Sequence, residues 1–179
     1  MNSSEIKKLD KEKIVSTYSR YDLVADSGKG ACCISADGRK YIDFTAGIGV
    51  NSLGFCDDGW VEAVTSQLKK LQHVSNLFYT QPQVEVADIL TARTGMKKVF
   101  FGNSGAEANE AAIKTARKYG TVNKGENANK IITLNNSFHG RTMATITATG
   151  QADYHKFFTP FLGGFDYCDA NDIKQLESM

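Results

Sequence analysis

The sequence of 179 residues has no long apolar run, only two prolines and almost no imbalance of charge. No stretch approaches the roughly 20 apolar residues of a membrane-spanning helix, and the charged N-terminal residues lack the apolar centre of a signal peptide. A formal net charge of +1 gives neither the basic surface of a nucleic-acid-binding protein nor an acidic tail. Four cysteines match neither a zinc motif nor a disulfide framework, and three histidines are isolated. We therefore expect reduced thiols, no metal site and a cytoplasmic protein.

What the sequence does contain is the composition of a globular protein, 41% hydrophobic and 23% charged. From residue 82 onward, short apolar runs alternate with helical patterns, which predicts an α/β fold built on a parallel sheet. The predicted strands of this part are 99–101, 130–134 and 165–167, and the predicted helices are 82–95, 106–119 and one ending near 149.

The first part of the sequence has a different organisation. Its pattern predicts a weak helix within 4–18, and a β-hairpin of strands 31–35 and 40–44 that turns at Gly38. A further helix, 60–71, is expected to begin at Asp57 or Asp58. We assign 1–75 to an N-terminal segment of a small domain and 76–179 to the first part of a large α/β domain. Because so few strands leave a sheet edge unpaired, and Asn171 would cap only a short final helix, we expect an incomplete part of a larger protein.

The stretch 99–112 joins a β-rich run to an alanine-rich helix through a glycine turn. At the start of a helix, backbone N–H groups point outward where the helix dipole is positive, and this arrangement binds phosphate. Ser104 and Glu107 also form the S-x-x-E pattern of a capping box, which by itself indicates only that a helix begins. The position after a strand favours a ligand, because α/β proteins bind ligands at that edge of the sheet. No P-loop or dinucleotide-binding glycine spacing is present.

A second polar stretch, 136–142, follows the next predicted strand and so lies at the same edge. Phe138 could stack on a flat ring, and Arg141 could bind a carboxylate through two parallel hydrogen bonds. A core phenylalanine and a solvent-facing arginine are the alternative interpretation. His139 is a general base by residue type, but no nucleophile is paired with it in the sequence.

Taken together, these motifs resemble the class III pyridoxal-phosphate-dependent aminotransferases, most closely the branch that acts on N-acetylornithine. The resemblance covers nearly the whole chain and is specific, because five blocks occur in the family's order. The blocks are 37–44 (DGRKYIDF), 49–54 (GVNSLG), 75–79 with 81–83 (SNLFY, QPQ), 101–111 (FGNSGAEANEA) and 137–142 (SFHGRT).

The resemblance implies a fold-type I transferase, a homodimer, pyridoxal 5'-phosphate as the cofactor, and amino-acid and 2-oxo-acid substrates. It also implies roles for individual positions. Cofactor binding is implied for Ser104, Gly105, Ala106 and Phe138, and substrate binding for Arg141 and Tyr18.

The family's Schiff-base lysine and its acidic partner lie beyond the last residue of this sequence, so we expect no catalytic residue here. Lys114 and Lys118 lie within the helix after the glycine turn and do not replace that lysine. The implied reaction of the longer protein exchanges an amino group between N-acetylornithine and 2-oxoglutarate in arginine biosynthesis, and this chain alone is expected to be inactive.

Other functions remain open from the sequence. One is a class III enzyme acting on 4-aminobutyrate, succinylornithine or ornithine, although ornithine enzymes tend to carry tyrosine where this chain has Ile48. Another is a non-catalytic phosphate-binding or dimerisation module. A weaker possibility is a binder of sugar phosphates or nucleotides at the same helix start.

Overall fold

The computed structural model describes residues Met1–Met179. The chain divides into two compact units, Met1–Phe78 and Tyr79–Met179. None of its helices combines the length and the apolar character needed to cross a membrane. All four cysteines are free thiols.

The first unit contains a small antiparallel sheet with three helical segments. Strand β2 lies in the centre and pairs with β1 on one side and β3 on the other. Helix α3 begins after Asp57, whose carboxylate accepts a hydrogen bond from the N–H of Trp60 at 2.9 Å, as predicted. The elements are α1 Ser3–Lys13, β1 Ala25–Lys29, β2 Cys32–Ser35, β3 Lys40–Ile42, the irregular single turn α2 Ala46–Gly49, and α3 Asp58–Lys70.

Strand β1 was not predicted, because its sequence ADSGK has none of the β-branched or aromatic residues typical of strands. Pairing with β2 compensates for this composition, with Gly28 opposite Cys33. Gly28 is also required by the packing, since a Cβ there would lie 2.7 Å from the Phe55 ring. A tertiary contact therefore fixes a strand that local composition does not favour.

The second unit is built on a parallel pair of strands, β4 and β5, in a register that places Ile131 beside Phe165 and Leu134 beside Cys168. Its small core contains Ile113 and two alanines of helix α6, packed against Ile131 and Phe165. The elements are α4 Gln81–Thr94, α5 Gly105–Lys124, β4 Ile131–Leu134, α6 Met143–Ala148, a 3-10 turn Ala152–His155, β5 Phe165–Cys168, and α7 Ile173–Glu177.

Two local predictions for this unit were wrong. Residues 99–101 form no strand, because neither β4 nor β5 pairs with them, and Phe100 remains 69% exposed. The final helix is capped by Asp172, whose carboxylate accepts from the N–H of Gln175 at 2.9 Å, and not by Asn171. Asn171 instead takes a left-handed backbone conformation with φ of 65° just before the cap.

The chain exposes much more surface than its length requires. Its accessible area is 14615 Å², roughly 4,000 Å² more than two separate compact domains of these lengths would expose. Large apolar side chains contribute to this area in both units. Examples among the most exposed are Phe44, Ile48, Leu77, Tyr79 and Phe157.

Candidate functional site

Helix α5 begins at Ser104, which has an extended backbone and accepts a hydrogen bond from the N–H of Glu107 at 3.1 Å. The predicted capping box is only half formed. The Glu107 carboxylate does not return to the N–H of Ser104 but accepts from the backbone and side-chain nitrogens of Asn103, at 2.6 and 2.9 Å. The negative charge is thus held one residue before the helix cap.

Gly105 and Ala106 are the first two residues of this 20-residue helix. Their N–H groups have no acceptor within the helix, because the first four donors of any α-helix lack one. A Cβ added at Gly105 would meet no atom within 4 Å, so protein does not cover the backbone there. These outward donors and the positive end of the helix dipole suit a small anion such as a phosphate group.

The loop that follows β4 places Phe138 and Arg141 side by side. Phe138 is 51% exposed, and the guanidinium carbon of Arg141 lies 5.8 Å from the centre of its ring. The same carbon lies 5.8 Å from the ring of Tyr154, and the two rings are 5.4 Å apart at 57°. The cation therefore lies beside two aromatic rings, an arrangement that favours a fixed guanidinium position.

The sequence did not indicate Tyr154, since no motif connects it with Arg141. It belongs to the 3-10 turn Ala152–His155, which an ion pair between Asp153 and Lys156 braces at 2.7 Å. The hydrogen bond from Lys156 lowers the pKa of the Asp153 carboxyl below its ordinary value. That carboxylate therefore stays charged near neutral pH.

Two hydrogen bonds tie the loop after β4 to helix α5, and we call this pair the clasp. The side-chain amide of Asn109 donates to the carbonyl of His139 at 2.8 Å. The hydroxyl of Thr142 donates to the carboxylate of Glu110 at 2.5 Å. Between these bonds, Gly140 lies so close to the helix that a Cβ there would be 2.8 Å from that of Ala106. The loop and the helix start are thus held in direct contact.

The imidazole of His139 does not form a nucleophile–base pair. Its Nδ1 lies 3.3 Å from the hydroxyl of Ser137, but that hydroxyl donates its proton to the carbonyl of Leu134 at 2.6 Å. The backbone N–H of His139 donates to the hydroxyl of Thr149, which is fully buried. His139 therefore serves here to anchor the loop.

The helix start, Phe138 and Arg141 all lie in the unit Tyr79–Met179, and the hydrogen bonds above connect their two segments. Tyr18 lies in the other unit, Met1–Phe78, in the segment between α1 and β1. The structure therefore brings the helix start, Phe138 and Arg141 together within one unit, and Tyr18 belongs to the other unit.

A model of the family "Aminotransferase class-III" matches residues 15–179. The chain belongs to the class III aminotransferases. An acetylornithine aminotransferase from Haemophilus ducreyi is 52% identical over 178 residues, which are 99% of this chain and 45% of that protein. One from Caldanaerobacter subterraneus is 48% identical over 167 residues, or 93% and 42% of the two chains. The chain thus spans less than half the length of these class III relatives.

The fold matches part of solved aminotransferase structures. An ornithine aminotransferase from Toxoplasma gondii, whose active site has partial occupancy of pyridoxal phosphate (PLP), superposes with a TM-score of 0.92 at 28% identity, covering 99% of this chain and 42% of that one. An acetylornithine aminotransferase from Elizabethkingia anophelis gives a TM-score of 0.80 at 31% identity, covering 99% and 40%. The predicted family and fold are confirmed: the chain has the α/β fold of the N-terminal part of a fold-type I transferase.

Membership of this family implies PLP as the cofactor. The residues present suit both the phosphate group and the aromatic ring of PLP. The uncovered helix start offers N–H donors for a phosphate dianion, and the Glu107 carboxylate is bound to Asn103 and not to those donors. Phe138 offers a half-exposed ring face for an aromatic heterocycle.

Proposed function

We propose that this chain is the N-terminal part of an acetylornithine aminotransferase, which exchanges an amino group between N-acetylornithine and 2-oxoglutarate in arginine biosynthesis. The observation that carries the proposal is the 52% identity to such an enzyme across 99% of the chain. An ornithine aminotransferase is the second candidate, supported by the TM-score of 0.92. The lower identity of 28%, and Ile48 at a position where ornithine enzymes tend to carry tyrosine, favour the first.

In this proposal the helix start binds the phosphate of PLP. The N–H groups of Gly105 and Ala106 donate to its oxygens, and the hydroxyl of Ser104, which accepts from Glu107, retains its own proton for donation. The face of Phe138 lies against the pyridine ring and fixes its plane. When bound, PLP supplies an electron sink that stabilises negative charge at the substrate carbon.

The substrate in this proposal is held through a carboxylate. Arg141 presents a planar guanidinium that can donate two parallel hydrogen bonds to it, and the Phe138 and Tyr154 rings limit how the guanidinium can turn. Tyr18 contributes a second contact with the substrate. The longer protein is proposed to be a cytoplasmic homodimer, and the large exposed apolar area of this chain supports association with further protein.

The proposed activity is tested in the longer protein that contains this chain. The expected result is a kcat/KM for N-acetylornithine at least about tenfold above that for ornithine or 4-aminobutyrate, because the site must discriminate an acetylated amine from a free one. A higher kcat/KM for ornithine would instead support the second candidate, an ornithine aminotransferase. Absence of transamination with all three donors would contradict the enzyme function.

We also propose that no lysine of this chain forms the Schiff base with PLP, so the chain alone does not transaminate. Lys114 lies about 13 Å along the helix axis from Gly105, and Lys118 lies further along. Borohydride reduction of the chain with PLP, followed by peptide mass spectrometry, is expected to give only scattered, substoichiometric labelling of surface lysines. Stoichiometric labelling of one lysine would overturn this part of the proposal.

Replacing Arg141 with alanine in the longer protein is expected to raise KM for the carboxylate substrate about 5- to 150-fold, since a charge-assisted pair contributes about 1–3 kcal/mol. The affinity for PLP should change little. The control is Arg141→Lys, which retains the charge but loses the paired donors. Its KM should lie between that of the parent protein and that of Arg141→Ala. Unchanged KM together with a large loss of PLP affinity would contradict the substrate role.

A further inference from the structure

The two halves of the proposed PLP site come from segments that are about 30 residues apart in sequence. The phosphate-binding donors belong to the start of α5, whereas Phe138 and Arg141 belong to the loop after β4. The phosphate and the ring of PLP are joined covalently, so both halves must be held at one separation for the cofactor to contact both.

The clasp lies directly between these halves. Asn109 and Glu110 follow Gly105 and Ala106 by four residues each, so each lies one helical turn behind a phosphate-binding donor and on the same face. Their partners, His139 and Thr142, each directly follow a residue proposed to contact a ligand. Each clasp bond therefore joins a position one turn from the phosphate to a position adjacent to Phe138 or Arg141.

The clasp side chains are less buried than the other groups that hold the loop in place. Asn109 and Glu110 are half-buried, and Gly140 between their partners is buried against Ala106. The loop has an independent anchor on its other side, where the N–H of His139 donates to the buried hydroxyl of Thr149 at 2.9 Å. Loss of a clasp bond should therefore loosen the attachment of the loop to α5 without unfolding the loop.

We propose that Asn109 and Glu110 are positioning residues that hold the phosphate-binding helix start and the Phe138–Arg141 loop in register for PLP. This inference rests on the proposed function, because it takes PLP as the ligand that spans both halves. A ligand that contacts both halves gains from their fixed separation, since the second contact forms at a high effective concentration. A ligand that contacts one half gains nothing from it.

The test compares three ligands on the whole 179-residue chain: inorganic phosphate, pyridoxal without phosphate, and PLP. Asn109→Ala is expected to weaken PLP binding about tenfold, because the competent arrangement becomes a minor population. Affinities for inorganic phosphate and for pyridoxal should change less than about threefold. Binding is followed by calorimetry or by chemical shifts.

The matched control is Asn123→Ala. Asn123 lies on the same helix, and its side-chain amide also donates to a backbone carbonyl, that of Tyr119 at 2.9 Å, but this bond stays within α5. Both substitutions raise helix propensity equally. Asn123→Ala should leave all three affinities unchanged, which separates the clasp from a general effect of losing an asparagine.

The outcomes distinguish this inference from the function on which it depends. If the parent chain binds PLP no more tightly than inorganic phosphate or pyridoxal, the proposed cofactor site fails. If the parent chain prefers PLP and Asn109→Ala binds it equally well, the clasp inference alone fails. A uniform loss for all three ligands with a lower melting temperature would also overturn it, because that result describes a purely structural role.

A second pair of variants covers the case in which Asn109→Ala does not fold. Glu110→Ala removes the carboxylate that accepts from Thr142. It is also expected to weaken the binding of PLP more than that of inorganic phosphate or pyridoxal. Glu110→Gln retains an acceptor oxygen and should restore most of the PLP affinity. Equal behaviour of these two variants would contradict the positioning role of this bond.

Discussion

Gly105→Pro is expected to weaken PLP binding to this chain about 10- to 100-fold, because a hydrogen bond to a charged group contributes about 1.5–3 kcal/mol. Proline has no N–H, so the substitution removes one of the two backbone donors proposed to face the phosphate. Titration of the chain with PLP, followed by absorbance or calorimetry, measures the change.

The helix itself should tolerate this proline. Gly105 is the first residue of α5, the position at which proline is most favourable in helices. Ser104 before it has φ of −156° and ψ of 163°, the extended conformation that a residue preceding proline requires. No atom lies within 4 Å of a Cβ at this position, so the first added carbon meets no clash. The loss should therefore appear in binding and not in folding.

The matched control for this experiment is Gly105→Ala, which adds a Cβ but retains the N–H. Its PLP affinity should stay within about threefold of the parent chain, because no donor is lost. Equal affinities of the proline and alanine variants would exclude the N–H of Gly105 as a phosphate ligand.

Gly120→Ala is expected to lower the free energy of unfolding by about 1–3 kcal/mol, as a buried overpacking change does. Gly120 is buried in α5, and a Cβ there would lie 1.8 Å from the carbonyl oxygen of Ala128. That oxygen belongs to the backbone, so the clash cannot be relieved by a side-chain rotation. Urea denaturation of the chain, followed by circular dichroism, measures the change.

On helix propensity alone, the same substitution would stabilise α5 by about 1 kcal/mol. Gly105→Ala serves again as the control, since it adds a methyl group to the same helix with no atom within 4 Å. Its stability should stay within about 0.5 kcal/mol of the parent chain, as for most exposed changes. A Gly120 variant as stable as this control would show that Ala128 moves aside freely.

Local signals were sufficient for most of the helices. Asp57 caps α3, Pro82 lies in the first turn of α4, and Gly95 ends α4 in a left-handed conformation with φ of 72°, as their residue types predict. The strands were less predictable, because a strand depends on its partner. The apolar residues 99–101 have no partner strand and form no strand, whereas the polar residues of β1 pair with β2.

The candidate site divides in the same way. The sequence predicted that the start of α5 and the loop containing Phe138 and Arg141 lie close together, and hydrogen bonds join them, although residues 99–101 form no strand of the sheet. Tyr154 and the clasp residues Asn109 and Glu110 were not singled out, because their contacts join positions 13 to 32 residues apart and leave no periodic or local pattern. Such contacts become visible only in the folded chain.

The large exposed surface of this chain also has a consequence for synthesis on the ribosome. In a protein of the relatives' length, roughly 220 residues would follow residue 179, and adding them takes roughly 10–45 s at about 5–20 residues per second. During that time side chains such as Phe44, Tyr79 and Phe157 would stay in water. A nascent chain in this state is a natural client for chaperones, and the rate of translation would limit how soon its surface is covered.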